Sequence, residues 1–185
     1  NGRQMPWEEA TVHVTDLAWS TVGAVFEGIR GYWNDEQQEL YVFRLREHME
    51  RLIDSMKLVR LPLDYTVDEL IEASVDLLRA VEAREDTYLR PLAYSQNSSG
   101  KRLSDTSTDL GMLINTNPMP SQLISGDAIR VKVSSWTRIS DTVMPPRIKN
   151  ISNYRNGQLA THEVRQDGYD VAFMLNPQGK VAEAP

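Results

Sequence analysis

The chain contains no cysteine among its 185 residues, which excludes disulfide bonds and metal sites built from thiolates. Of its three histidines, His13 and His162 have no partner at the spacing of a metal site, so we predict no metal. The chain also lacks an apolar run of about 20 residues, the length that crosses a bilayer. Its charge is mixed, with a net of −6 and no basic run, which argues against nucleic acid or an acidic membrane as a partner. A cytoplasmic location fits this composition.

The length and the hydrophobic fraction of 41% suffice for one sizeable domain, or for one small domain and part of another. The chain opens on "NGRQMPWEEA" and stops at "GKVAEAP", and we expect both ends to be cuts in a longer sequence. The stretch "NPMPSQLISGD" is rich in turn residues. We therefore predict a small N-terminal α/β domain at residues 1–117, a linker at 118–127, and the first part of a C-terminal domain at 128–185.

Hydrophobic periodicity predicts a mixture of strands and helices. We expect strands at residues 10–14, 22–33, 39–45, 86–94, 110–116 and 128–136, helices at 46–59, 66–83 and 153–168, a polar loop at 96–109 and a hairpin at 169–184. Because the helices are grouped on antiparallel hairpins, the predicted class is α+β rather than a doubly wound sheet.

Several residues mark the ends and edges of these elements. Thr66 followed by Glu69 is typical of a capping box at a helix start. Gly168 is expected to end the last helix. Pro91 places its strand near an edge or a bulge of the sheet. His48 stands on a mostly charged helix, where we expect a surface residue.

Ionisable residues gather near the predicted strand ends and turns. Lys149 stands five residues before Tyr154, and Glu183 ends the hairpin that follows. Arg30 and Arg51 add positive charge, and Tyr88 and Arg90 alternate on one strand and so share a face. Such a set suits an anionic ligand that bears a carbonyl, because a neutral lysine amine can attack that carbon. Pyridoxal phosphate needs such a set of side chains. The same residue types also occur as ordinary surface charges, so composition alone does not select this cofactor.

Five motifs occur in a characteristic order: "VFEGIR", "VFRLREHMERL", "YLRPL", "KNISNY" and "GYDVAFMLNPQGKVAEA". Together they resemble the branched-chain amino acid aminotransferase family, which belongs to the fold-type IV pyridoxal-phosphate enzymes. The resemblance covers almost the whole chain. It implies the fold of the D-amino-acid-aminotransferase type, with a small N-terminal α/β domain and the start of a larger C-terminal domain whose remainder is missing here.

The resemblance also implies roles for individual residues. Lys149 would be the catalytic lysine that holds pyridoxal phosphate, Tyr154 would bind the ring oxygen, and Glu183 would pair with the pyridine nitrogen. Arg51 would bind the cofactor phosphate, unless it pairs with Glu47 one helical turn away. The substrate pocket would be lined by Phe26, Gly28, Arg30, Tyr88 and Arg90. Arg90 would bind a substrate carboxylate. Alternatively, Arg30 and Arg90 form structural ion pairs, and Tyr88 packs in the core.

The activity implied is a ping-pong transfer of an amino group between L-branched-chain amino acids and 2-oxoglutarate, by a homodimer or a larger homo-oligomer. Three departures from the family pattern leave the substrate open: Thr21 in place of a tyrosine, Met119 in place of an aromatic residue, and Ser152 in place of a glycine. The alternatives are a D-amino-acid transaminase, an amine transaminase or an aminodeoxychorismate lyase of the same fold. A non-catalytic fragment that holds no cofactor is a further alternative.

Overall fold

A computed structural model describes residues 2–14, 17–96, 109–122, 126 and 128–185 of the chain. Most of the predicted polar loop at 96–109 and part of the predicted linker at 118–127 lie outside these residues, so the linker stays a prediction. The contacts divide the chain into two units, Asn1–Ser121 and Gln122–Pro185, and each is described by itself.

The first unit is built on a five-stranded antiparallel sheet. Its strands are β1 (Val25–Phe26), β2 (Ile29–Asn34), β3 (Glu39–Val42), β4 (Thr87–Ser95) and β5 (Leu110–Pro118). Strand β5 pairs with β4 along its whole length, and β1 and β2 pair with the opposite edge of β4, one after the other. Strand β3 forms a hairpin with β2. The central strand β4 therefore positions most of the sheet.

Helices cover one face of this sheet. They are α2 (Leu45–Leu58) and α3 (Val67–Ala80), while a short helix α1 (Leu17–Val22) precedes β1. Helix α2 contacts β1 and α3 contacts β5. The core between the layers consists of fully buried apolar side chains, among them Val25, Ile29, Leu89, Ala93, Met49, Leu52 and Met56. Burial of each large side chain stabilises the unit by about 1.5–3 kcal/mol.

The sequence signal for α3 is confirmed in detail. Thr66 is the N-cap, and its hydroxyl accepts a hydrogen bond from the Glu69 amide at 3.2 Å. The Glu69 carboxylate accepts one from the Thr66 amide at 2.7 Å, which completes the capping box. These contacts fix the start of the helix without any tertiary partner.

Two predictions about the first unit are wrong. Residues 10–14 alternate like a strand, but they are exposed and pair with no described strand, because alternation by itself provides no ladder partner. A short 3₁₀ turn at Trp7–Glu9 precedes these residues, and helix α1 follows them. Pro91 does not lie on an edge strand, since β4 is paired on both sides. It faces the gap between β1 and β2, where its carbonyl accepts the Glu27 amide at 2.9 Å and its missing N–H leaves the return bond of that pair unmade, so the ladder is interrupted there.

The second unit contains a three-stranded sheet and one long helix. Its elements are β6 (Val131–Val133), a 3₁₀ turn at Ile151–Asn153, α4 (Tyr154–Gln166), β7 (Val171–Leu175) and β8 (Val181–Glu183). Strands β6 and β7 are parallel, as the crossover through α4 requires, and β7 and β8 form the predicted antiparallel hairpin. The core between α4 and β7 consists of Ala160, Val164, Ala172 and Met174.

The ends of these elements follow local signals. Gly168 has a φ of 81° just after α4, the left-handed conformation in which glycine ends helices. Predicted strands 39–45 and 128–136 are shorter in the structure, because α2 already begins at Leu45 and β6 covers only the three residues paired with β7. The α+β class is confirmed. In the part of the chain that the structure describes, no helix has the length and apolar character of a membrane span.

Candidate active site

A tight turn before α4 brings Lys149 and Tyr154 together. The Lys149 ammonium donates a hydrogen bond to the Tyr154 hydroxyl, with 2.7 Å between Nζ and the phenolic oxygen. Nζ lies 5.3 Å from the centre of the tyrosine ring, so the amine is near the ring as well as its hydroxyl. The spacing of five residues noted in the sequence therefore becomes a direct contact.

Two buried asparagines hold this turn. Asn150 caps the 3₁₀ turn, and its side-chain oxygen accepts the Ser152 amide at 2.8 Å. The Asn153 amide group donates to the Ile148 carbonyl at 3.2 Å, which closes the loop around Lys149. Both asparagines are at least 95% buried, whereas Tyr154 is 41% exposed. The turn is thus anchored from inside and presents the lysine–tyrosine pair outward.

Arg138 connects Glu183 with this turn. Glu183 ends β8, and its carboxylate lies 3.4 Å from Arg138 Nε. Nη1 of the same arginine donates to the Asn153 carbonyl at 3.2 Å, and its side chain is only 11% exposed. A charge-assisted contact therefore ties the end of β8 to the residue that precedes Tyr154.

The close approach of α4 to the segment after Glu183 depends on a glycine. A Cβ on Gly157 would lie 2.6 Å from Cβ of Pro185, which real side chains do not tolerate. Gly157 is buried within α4, three residues after Tyr154. Gly157 is therefore the residue that lets the Glu183 segment pack against the helix.

In the first unit, Arg51 binds a buried glutamate. Its Nε and Nη2 donate to the two carboxylate oxygens of Glu27, each at 2.6 Å. His48 Nδ1 lies 2.9 Å from the same carboxylate. Glu27 is fully buried, and the His48 side chain is 20% exposed, so the expectation of a surface histidine is wrong. Glu47 accepts a hydrogen bond from Arg44 at 2.9 Å.

The predicted substrate residues share the sheet face opposite the helices. Arg30 stands opposite Tyr88 and Phe26 opposite Leu92, and in an antiparallel pair opposed residues lie on the same face. Arg90 joins them through the alternation of β4. Phe26, Gly28, Arg30, Tyr88 and Arg90 therefore form one surface, which we call the open face.

The residues of the open face pack closely, and the described partners of its two arginines are uncharged. A Cβ on Gly28 would collide with the Tyr88 hydroxyl, so a larger residue here would displace this tyrosine. The Arg30 guanidinium lies over the Tyr32 ring at 5.6 Å, and Arg90 Nε donates to Asn115 Oδ1 at 3.3 Å.

Asn115 adds an unsatisfied donor to the open face. Its amide nitrogen is buried and has no hydrogen-bond partner among the described residues. Buried polar atoms are normally paired, so this donor fits a site that accepts an oxygen-bearing ligand.

The carboxylates of Glu163 and Asp167 bind the segment around β6 in the second unit. The Ser134 hydroxyl, at 2.6 Å, and the Ser135 amide donate to Glu163 of α4 and lower the pKa of that carboxyl group. The Asp167 carboxylate, 2.5 Å from Lys132 Nζ, raises the pKa of that amine. These contacts attach the segment around β6 to α4, the helix that begins with Tyr154.

Sequence reasoning missed Glu27, His48, Arg138 and Asn115. Glu27 had a signal, because it is a single charge inside the apolar run "AVFEGI" and therefore needed a buried partner. Arg138 had no local signal, since its partners Glu183 and Asn153 are distant in the sequence.

Comparison with known proteins agrees with these motifs. Residues 24–185 match the family model described as amino-transferase class IV. The chain is 38% identical to a probable branched-chain-amino-acid aminotransferase of Aquifex aeolicus, over 98% of this chain and 58% of that protein. It is 34% identical to the branched-chain-amino-acid aminotransferase of Escherichia coli K12, over 99% of this chain and 59% of that protein.

A solved structure gives the same relation. The branched-chain amino acid aminotransferase of Thermobaculum terrenum in its PLP form has a TM-score of 0.91 and 50% identity, over all of this chain and 60% of that one. The chain thus spans about 60% of the length of these relatives. On these matches, together with the ordered motifs and the fold, the chain belongs to the class IV aminotransferase family.

Proposed function

We propose that the chain is part of an aminotransferase that uses pyridoxal phosphate and transfers amino groups between L-branched-chain amino acids and 2-oxoglutarate. The observation that carries the proposal is the contact of 2.7 Å between Lys149 Nζ and the Tyr154 hydroxyl, in a chain of this family. The names of the relatives support the branched-chain substrate, and the Thermobaculum terrenum structure in its PLP form supports the cofactor.

The donor set fits the proposed cofactor. Lys149 offers an amine for the aldehyde, Tyr154 a hydroxyl for the ring oxygen, and Glu183 a carboxylate for the pyridine nitrogen. Arg51 would offer guanidinium N–H donors for the phosphate, a charge-assisted pairing. When bound, pyridoxal phosphate supplies a carbonyl that condenses reversibly with amines and a ring that takes up electrons.

Lys149 has two tasks in this proposal. It anchors the cofactor, and its released amine then carries the substrate α-proton at Nζ. Tyr154 keeps Nζ in place through the hydrogen bond at 2.7 Å. A positioned base of this kind contributes about 10²–10⁴-fold to the rate. Loss of Lys149 should cost more, because the anchor and the base are lost together.

The open face is the proposed substrate surface. Amino acids and 2-oxo acids both carry a carboxylate, which Arg30 and Arg90 can bind by charge-assisted hydrogen bonds. The unsatisfied Asn115 amide beside Arg90 offers a further donor. Phe26 provides apolar surface for an aliphatic side chain. The same proposal includes a homodimer or larger homo-oligomer and a cytoplasmic location.

Borohydride reduction followed by intact mass measurement tests the cofactor assignment. The protein at its full natural length should gain one covalently fixed pyridoxal phosphate, and the Lys149→Ala variant should gain none. Lys180→Ala, a lysine in the β7–β8 turn, is the matched control and should be labelled like the wild type. Labelling of Lys149→Ala at the wild-type level would reject the assignment.

A substrate panel tests the reaction. We expect turnover of L-leucine with 2-oxoglutarate, and little turnover of D-alanine or an aryl amine. A preference for D-alanine or the aryl amine would favour the alternative activities of the same fold. A colourless protein that borohydride does not label would favour a non-catalytic fragment.

A further inference from the structure

We propose that Glu27 is a positioning residue that orients the Arg51 guanidinium for the cofactor phosphate, with His48 contacting the same carboxylate at the oxygen that also accepts from Arg51 Nη2. This inference rests on the proposed function, since it assigns the means by which the phosphate ligand is held. Neither Glu27 nor His48 is among the residues predicted for the site from sequence.

The geometry of the pair is fixed at both oxygens. Nε and Nη2 of Arg51 each lie 2.6 Å from a different oxygen of Glu27, so the plane of the guanidinium follows the plane of the carboxylate. Such a fork determines direction as well as distance. The Arg51 side chain is 52% exposed and would otherwise sample many rotamers.

Glu27 is itself immobilised by the sheet. Its amide donates to the Pro91 carbonyl at 2.9 Å, in the gap between β1 and β2, and its side chain is fully buried. Phe26 and Gly28 on either side lie on the open face, while the Glu27 side chain reaches Arg51 of α2. The stretch "FEGIR" therefore serves both faces of the sheet: alternate residues line the open face, and the glutamate between them reaches Arg51.

Stability alone is a weak reason for this arrangement. A buried ion pair loses hydration on both partners, and apolar residues of similar volume often replace such pairs without loss of stability. A carboxylate next to a phosphate ligand also reduces the positive charge that attracts the phosphate. The two effects predict opposite changes when the Glu27 charge is removed. If Glu27 acts by positioning Arg51, the affinity for pyridoxal phosphate should fall. If its negative charge matters more, that affinity should rise.

The test compares pyridoxal phosphate with pyridoxal, which lacks the phosphate. Dissociation constants are measured by quenching of intrinsic fluorescence, on the apo form of the protein at its full natural length. In Glu27→Gln we expect the affinity for pyridoxal phosphate to fall about tenfold or more, as when a charge-assisted hydrogen bond is misplaced, while the affinity for pyridoxal stays unchanged. Glu47→Gln, an exposed carboxylate on α2, is the matched control and should behave as the wild type.

A double-mutant cycle separates positioning from a general structural role. In an Arg51→Gln background, Glu27→Gln should cause little further loss, because Glu27 acts through Arg51. An equal loss of affinity for both ligands, a full additional loss in the double variant, or an unchanged or higher affinity for pyridoxal phosphate would overturn the inference.

Two further outcomes of this experiment also bear on the inference. If Glu27→Gln does not fold, the same comparison is made with His48→Ala, since His48 contacts the same carboxylate from a partly exposed position. A loss of affinity for pyridoxal phosphate alone supports the inference. Wild-type affinities for both ligands overturn it. A wild-type protein that binds neither ligand would refute the proposed function and this inference together. A wild type that binds, with variants that match it, would refute the inference alone.

Discussion

Replacement of Gly157 by alanine sets a local preference of the helix against a tertiary contact. In an open helix, alanine in place of glycine stabilises by about 1 kcal/mol. Here the new Cβ would lie 2.6 Å from Cβ and 3.2 Å from Cγ of Pro185, and overpacking of this kind costs about 1–3 kcal/mol. The net change should be between about zero and 2 kcal/mol of destabilisation. Because the proline ring is rigid, the strain should be relieved by movement of the end of β8, which carries Glu183.

Chemical denaturation of the protein at its full natural length measures this change. Gln158→Ala, on an exposed position of the same helix, is the control and should alter the free energy of unfolding by less than about 0.5 kcal/mol. We also expect Gly157→Ala to bind pyridoxal phosphate more weakly than the control does, since Glu183 is displaced. A stabilisation of about 1 kcal/mol in Gly157→Ala, the value that propensity alone gives, would refute the reasoning.

Three further perturbations follow from the contacts at the two candidate surfaces. Gly28→Ala should raise KM for amino acid substrates several-fold, because its Cβ displaces the Tyr88 hydroxyl, and adding Tyr88→Phe should restore part of the loss in steady-state kinetics. Arg138→Met should weaken binding of pyridoxal phosphate, since it removes the charge that holds Glu183 and the tie to the turn before α4; an unchanged dissociation constant would contradict this role. Because the pKa of Glu163 is lowered, its contribution to stability is complete above the ordinary pKa of 4.5 and is lost as the pH falls through the lowered pKa. Glu163→Gln should therefore flatten the acid side of a curve of unfolding free energy against pH. Parallel curves for the two proteins would count against this.

Helices were the elements best predicted from sequence, because their signals are local. The capping box at Thr66 and the left-handed glycine at Gly168 each act within a few residues, and both lie where predicted. The contact between Lys149 and Tyr154 was predictable for the same reason, since one turn of chain spans it. The strand predicted at residues 10–14 failed because a strand depends on a partner that alternation does not specify.

Pairing across the sheet decided what sequence patterns left open. Pro91 suggested an edge by its missing N–H, yet the register of β1 and β2 leaves a gap opposite it in the middle of the sheet. Glu27 lies 24 residues from Arg51 in the sequence, and spacing alone offered the nearer Glu47 as a partner. The choice between them depends on which carboxylate the fold buries.

The sequence by itself determined the family, the helices and the lysine–tyrosine turn, since these depend on ordered motifs and on interactions between near neighbours. Only the tertiary structure decided that Arg51 binds Glu27, that Arg138 joins Glu183 to the turn before α4, and that four residues of three strands share the open face with Gly28. Those contacts link residues that are far apart along the chain. Their geometry follows from strand register and burial, which neither composition nor periodicity specifies.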